Sequence, residues 1–176
     1  MLDAGGGYAL VPGGAAVRDG MGERLRRACG VEARRAAARA ERPEGIPYAA
    51  RTASEVIRIA RVCGRPAGFH RLDDVLLEFH LSRRDESSGP IAALLAPLDG
   101  RPELTETLRT HLGERQDRRA TARALGLHPN TVDNRLARIA ALTGIDLTSP
   151  HGTALALTAL LLRQGDGPGA PPTTGR

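Results

Sequence analysis

The chain has no lysine and no tryptophan, and aromatic side chains make up only 2% of its 176 residues. A hydrophobic core must therefore be built from leucine, alanine, valine and isoleucine, within a hydrophobic fraction of 41%. The length fits one domain or two small ones. All 25 residues in the Lys+Arg total are arginines, and the formal net charge of +5 is compatible with nucleic-acid binding without proving it.

Cysteine is also scarce. Cys29 and Cys63 lie far apart without a Cys-x-x-Cys spacing, so neither a disulfide framework nor a zinc site is indicated. No apolar run approaches the length of a membrane span, and no signal sequence is evident, which predicts a cytoplasmic protein with no membrane partner. The sequence contains no phosphate-binding glycine motif and no nucleophile–base pair or metal cluster, so we predict neither an enzyme nor a bound cofactor.

The segment from Arg118 to Gly144 has the pattern of two helices joined by a tight turn. The first helix is predicted over Arg118 to Leu125, with Ala122 facing inward. Gly126 follows where the helix must end, because only glycine takes a left-handed conformation without a Cβ clash. Pro129 suits the first turn of a second helix, where its missing N–H is not needed. This arrangement is the helix-turn-helix pattern.

The second helix has two distinct sides. Apolar and small residues recur at i, i+4, i+7 and i+11, which is one helical stripe: Val132, Leu136, Ile139 and Thr143. The opposite side carries short polar residues near the N-terminus and small residues beyond it: Asn130, Asn134, Ala137, Arg138 and Ala141. A helix of this form suits the DNA major groove, because small residues allow close approach of the backbone.

Contacts to DNA can then be divided between bases and phosphates. Base reading is predicted for residues of the second helix: Asn130, Thr131, Asp133, Asn134 and Arg138. Each asparagine can pair bidentately with adenine, and threonine can touch a thymine methyl group or a phosphate. Phosphate contacts, which position without specifying, are predicted for arginines of both helices: Arg118, Arg119, Arg123 and Arg135, with Arg138 as a further candidate. The alternative is an ordinary helical hairpin with a solvated polar face.

The segment TARALGLHPNTVDNRLARIAALTGIDL resembles the C-terminal, Fis-like helix-turn-helix of the PucR/CdaR family of bacterial transcription regulators. The elements that carry the resemblance are His128, Asn130, Thr131, Arg135, Leu136, Leu142, Thr143, Gly144, Ile145 and Asp146. The resemblance implies a sequence-specific regulator that binds double-stranded DNA as a homodimer, with RNA polymerase as a candidate further partner. The family commonly has a basic residue and an aromatic where this chain has Asp133 and Asn134. Aspartate cannot neutralise a phosphate, but it can accept from a cytosine amino group or orient a neighbouring side chain.

The N-terminal stretch GGGYALVPGG contains a predicted short strand from Tyr8 to Val11 and resembles the second half of a degenerate GGDEF-like domain. The resemblance places Gly5 and Gly6 at the start of the signature hairpin. Gly7 and Tyr8 then stand where acidic residues would be needed to hold metal ions, which argues against a nucleotide cyclase. The segment EGIPYAARTASEVIRIARVCGRPAGFHRLDDVLL resembles the closing helix and strand of the same domain.

Periodicity and breakers predict the remaining elements of the first half of the chain. Helices are predicted over Arg18 to Cys29 and Tyr48 to Cys63, a strand at Gly68 to His70, and either structure for Val31 to Arg42. Between positions 18 and 42, eight arginines face four acidic residues, a basic patch that either touches nucleic acid or is simply a solvated surface.

In the second half, further helices are predicted over Asp73 to Leu81, Pro90 to Leu98 and Arg101 to Gly113. The acidic residues at the start of the first of these either complement the helix dipole or bind a metal, and the dipole reading is favoured. The nearly apolar segment from Thr153 to Leu162 predicts a buried helix that either closes the bundle or docks a second subunit.

The predicted fold is mostly α, with a partial α+β N-terminal unit followed by a helical bundle that contains the helix-turn-helix. The predicted divisions are a partial GGDEF-like region at 1–72, connecting helices at 73–98, the DNA-binding domain at 99–164 and a disordered tail at 165–176. The alternative function is a helical protein-interaction or dimerisation module in which DNA binding is secondary.

Overall fold

The computed structural model describes residues 2–3, 6–8, 10, 27 and 33–163 of the chain. The mostly helical fold predicted above is confirmed. Apart from Arg27, which is helical, the predicted helix from Arg18 to Cys29 lies outside the described residues, as do the predicted tail and most of the first basic patch. The domain boundaries and the GGDEF-like assignment of the N-terminal region stay predictions.

Two small sheets lie in the N-terminal region. Strand β1 (Leu2–Asp3) pairs antiparallel with β2 (Gly6–Gly7). The strand predicted from Tyr8 is wrong at Tyr8 and Leu10, which follow this pairing in a non-strand conformation, and Val11 lies outside the described residues. Strand β3 (Arg34–Ala36) pairs parallel with β4 (Gly68–His70), which confirms the predicted strand at β4.

Helix α1 (Ile46–Val62) connects the two parallel strands and starts after a 3-10 turn at Pro43–Gly45. It agrees with the predicted helix within two residues at its N-terminal end. Ile59 is fully buried, whereas Ile57, which was predicted to face the core, is only half-buried. The difference arises because the buried stripe of α1 runs through Val56, Ile59 and Ala60.

The connecting region folds into short pieces: a 3-10 turn at Leu72–Val75, α2 (Leu76–Leu81), α3 (Ser88–Ala93) and a second 3-10 turn at Ala96–Leu98. The single helix predicted from Pro90 to Leu98 is therefore wrong in its extent. Pro97 explains the early end, because its ring clashes with the carbonyl four residues back and it donates no hydrogen bond, so an α-helix cannot continue past Ala93.

The C-terminal bundle consists of α4 (Pro102–Gly113), α5 (Arg118–Leu125), α6 (Pro129–Thr143) and α7 (Pro150–Arg163). Helix α6 packs on α4, α5 and the second 3-10 turn. Among the described elements, α7 packs most extensively on α3 and also contacts α1, α2 and α4. One hydrophobic core runs from Val56 in α1 through Ile139 in α6 to Leu161 in α7.

Helix α7 settles one of the alternatives left open by the sequence. Its buried side chains belong to the core of this chain, and they include Ala156, Ala159, Leu160 and Leu161. The final helix therefore closes the bundle. The outer side of α6 is left free by this packing, because α7 lies against the helices that precede the helix-turn-helix.

Candidate nucleic-acid interface

The turn between α5 and α6 is specified by local chemistry. Asp117 precedes α5, and its Oδ1 accepts a hydrogen bond from the backbone N–H of Ala120 at 2.9 Å. This bond is the first cause of the lowered pKa of the Asp117 carboxyl. Gly126 ends the helix with φ at 65°, in the left-handed region, as predicted.

Helix α6 begins at the predicted proline. The Nδ1 atom of His128 accepts a hydrogen bond from the backbone N–H of Asn130 at 3.2 Å, so the histidine side chain caps the helix ahead of Pro129. Because Nδ1 accepts this bond, neutral His128 carries its ring proton on Nε2. The only residues between α5 and α6 are Gly126, Leu127 and His128, which gives a tight turn.

The inner side of α6 anchors the helix. Val132 and Ile139 are fully buried and Leu136 is 8% exposed, as the sequence stripe predicted. Thr143, the last member of that stripe, is half-buried, and its hydroxyl donates to the carbonyl of Ile139 at 2.8 Å. This anchoring fixes which side of α6 faces outward.

The outer side of α6 is exposed along its whole length. The exposed residues are those placed opposite the apolar stripe by helical periodicity: Asn130, Asn134, Ala137, Arg138 and Ala141. They form a ridge with hydrogen-bonding amides at its N-terminal end and small residues around Arg138. We call these five residues the α6 outer ridge. Their role as DNA contacts stays a prediction.

The other predicted contact residues are distributed differently. Thr131 is half-buried beside the ridge, and Arg119 and Arg123 are exposed on α5. Arg135 is half-buried, and its Nη1 donates to the hydroxyl of Thr107 in α4 at 3.2 Å. The guanidinium of Arg135 therefore pins α6 to α4, which the sequence pattern did not indicate.

Asp133 and Arg118 form an ion pair between α6 and α5. Oδ1 of Asp133 lies 3.2 Å from Nη1 of Arg118. Both residues had been predicted to contact DNA independently, one at a base and the other at a phosphate. The structure places them against each other, so neither side chain can be considered alone.

A buried polar group beneath α5 was missed by the sequence analysis. His111 in α4 is 5% exposed, and its Nδ1 lies 3.2 Å from the hydroxyl oxygen of Thr121, which is fully buried. The Thr121 hydroxyl donates its only proton to the carbonyl of Asp117 at 2.7 Å. Nδ1 of His111 must therefore donate. The signal was present, because His111 continues the i, i+3, i+4, i+7 stripe that starts at Leu104.

The pKa of His111 is lowered, first by burial and then by the charge of Arg118, while Asp133 and Asp117 oppose the shift. Unfolding then takes up a proton at any pH between the lowered value and the ordinary histidine pKa of about 6.5. We expect the stability of the domain to be constant above this window and to fall as the pH drops through it. Urea midpoints at several pH values measure the effect.

The control for this pH dependence is a pair of glutamine variants. His111→Gln should remove the slope in that window, whereas His151→Gln, at an exposed position on α7, should keep it. An unchanged slope in His111→Gln would show that another group is responsible.

Residues that suggested other chemistry have structural partners. Asp74 accepts a hydrogen bond from the backbone N–H of Arg71 at 2.8 Å, and Glu78 pairs with Arg65 at 3.3 Å. Burial raises the pKa of the Cys63 thiol to about 11, so it is protonated at neutral pH and poorly nucleophilic. Across the described residues, no group of three or more potential ligands is placed to hold a metal ion. No helix in that part of the chain is long and apolar enough to cross a bilayer.

Comparison with known families identifies the C-terminal region. Residues 104–162 match the family model of the PucR C-terminal helix-turn-helix domain, a range that starts within α4 and ends one residue before the end of α7. No curated protein and no solved structure matches the chain significantly. The match supports a role in DNA-binding transcription regulation. The chain thus carries, over residues 104–162, a helix-turn-helix domain similar to that of PucR-type regulators.

Proposed function

We propose that this protein is a sequence-specific transcription regulator that inserts α6 into the major groove of DNA. The observation that carries the proposal is the exposed α6 outer ridge, which projects from a helix whose opposite side is buried in the core. A recognition helix needs this combination, because it must be rigid relative to its domain and accessible along one side.

The chemistry of the ridge suits base recognition. The amides of Asn130 and Asn134 can each donate to and accept from an adenine edge, and the guanidinium of Arg138 can pair with guanine. Ala137 and Ala141 allow the helix axis to approach the groove floor. Thr131, half-buried beside the ridge, can reach a thymine methyl group or a phosphate.

The arginines of α5 provide the backbone contacts in this proposal. Arg119 and Arg123 are exposed, and Arg118 presents a side chain that is 59% exposed. Contacts of this kind fix the orientation of the domain on the duplex without reading sequence. We assign Arg135 a smaller part, because Thr107 holds its guanidinium at the α4 interface.

We further propose that the protein binds paired half-sites as a homodimer and that RNA polymerase is a further partner. Helix-turn-helix readers commonly match a two-fold operator with a two-fold protein. The competing proposal, a protein-interaction module, rested on the apolar final helix. That helix packs on the other helices of this chain, so it no longer favours an external protein partner.

Loss of the two ridge asparagines tests the proposal. We expect Asn130→Ala and Asn134→Ala each to relax preference at a base pair of the selected site, with a loss of roughly 1–3 kcal/mol at the preferred base. Selection from random duplexes, followed by titration of matched and mismatched sites, measures both quantities. Arg123→Ala should instead weaken all sequences alike and reduce the salt dependence.

The control is Glu106→Ala, which removes an exposed side chain on α4 outside the ridge and should leave base preference unchanged. If both asparagine variants select the same sites as the parent protein, α6 is not the reading helix. If the parent protein shows no salt-sensitive binding to any duplex, the DNA-binding proposal itself is wrong.

A further inference from the structure

The ion pair between Arg118 and Asp133 connects the two helices of the helix-turn-helix. Arg118 is the first residue of α5, and Asp133 lies in the second turn of α6. Both act on the buried His111, whose pKa Arg118 lowers and Asp133 raises. The pair therefore lies at the junction of α4, α5 and α6, above the buried His111–Thr121 hydrogen bond.

The two oxygens of the Asp133 carboxylate have different surroundings. Oδ1 is enclosed by protein and makes no directed hydrogen bond, and its nearest cation is Nη1 of Arg118 at 3.2 Å. The Asp133 side chain as a whole is nevertheless 44% exposed, and that of Arg118 is 59% exposed. The carboxylate thus holds one edge of the guanidinium, while the remaining N–H groups of Arg118 are accessible to another acceptor.

Two roles for Asp133 predict effects of opposite sign. A negative charge on α6, near the face proposed for DNA, repels phosphates, so a simple repelling role means that its removal tightens binding. A carboxylate that holds an arginine in a phosphate-binding orientation acts the other way, because its removal releases a flexible side chain that must be ordered on binding. A surface ion pair contributes little to stability by itself.

We propose that Asp133 is a positioning residue that orients the Arg118 guanidinium toward a DNA phosphate. The proposal rests on the proposed DNA-binding function and adds to it, because it replaces a base-reading role for Asp133 with one that acts through α5. The enclosed Oδ1 favours this role, since that oxygen faces the arginine rather than solvent.

The test is a double-mutant cycle on a duplex that carries the selected site, measured at two salt concentrations. Asp133→Asn keeps the shape of the side chain and removes its charge, and we expect about a fivefold loss of affinity. Arg118→Ala should lose affinity on the order of tenfold. The double variant should bind no more weakly than Arg118→Ala, and all three should show a salt slope reduced by about one phosphate contact.

Arg123 provides the matched control, because it is an exposed arginine on the same helix. The losses in Arg123→Ala and Asp133→Asn should multiply in their double variant, since these residues act separately. Thermal unfolding of each protein shows whether it is folded, and Arg118→Lys, which keeps the charge but lacks the planar fork, should be weakened as well.

Three results overturn the inference. Tighter binding by Asp133→Asn would identify the aspartate as a repelling charge. An equal effect of that change with and without Arg118 would show that the two residues act independently. A parent protein without salt-sensitive duplex binding would overturn the proposed function together with this inference, whereas either of the first two results leaves the proposed function intact.

Discussion

Gly152→Ala is expected to destabilise the protein by roughly 3–5 kcal/mol, because a side chain at this position has no room. A Cβ atom on Gly152 would lie 2.0 Å from the carbonyl oxygen of Asp146 and 2.7 Å from its carbonyl carbon. Both atoms belong to the backbone that leads into α7, so the clash cannot be relieved by a side-chain rotation. Urea denaturation with a two-state fit measures the loss of unfolding free energy.

Two other glycines make this prediction graded. A Cβ on Gly113 would meet the carbonyl oxygen of Cys63 at 2.8 Å, so Gly113→Ala should be destabilising but less so. Gly89 lies in α3 with no atom within 4 Å of the added Cβ, and Gly89→Ala should stabilise the protein by roughly 0.5–1 kcal/mol. A Gly152 variant as stable as the Gly89 variant would mean that the chain before α7 adopts another path.

Ile139→Ala is expected to cost about 2–5 kcal/mol of stability, because it removes a fully buried side chain and leaves a cavity. Ile139 belongs to the same core as residues of α4 and α7, so the loss affects the whole bundle and not α6 alone. Denaturation midpoints measure this change. Below the midpoint, the folded variant should select the same DNA sites as the parent protein, because its outer ridge is intact.

Leu142→Ala is the matched comparison on the same helix. Leu142 is half-buried at the margin of the core, so its truncation removes fewer contacts and should cost clearly less than that of Ile139. Equal losses for the two variants would contradict the burial pattern of α6. A changed binding motif in folded Ile139→Ala would show that core packing and base reading are coupled.

Local sequence determined the helix-turn-helix itself. The bounds of α5, the left-handed Gly126 and the start of α6 at Pro129 all agree with the sequence prediction. These features depend on capping hydrogen bonds and backbone sterics within a few residues, and periodicity alone placed the outer ridge opposite the buried stripe. The turn before α5 was not predictable in this way, because Arg115 and Gln116 adopt φ values of 53° and 65° without being glycines.

The sequence by itself thus determined the reading helix and the side of it that faces outward, since both follow from interactions between near neighbours. Only the tertiary structure decided which charged residues stand free. Arg135 is held by Thr107, 28 positions earlier, and Arg118 is held by Asp133 on the next helix. Only the folded chain also showed that α7 closes this bundle, where Arg58 donates to the Leu161 carbonyl across 103 positions. A side chain's partners depend on how distant helices pack, and periodicity within one helix carries no information about that packing.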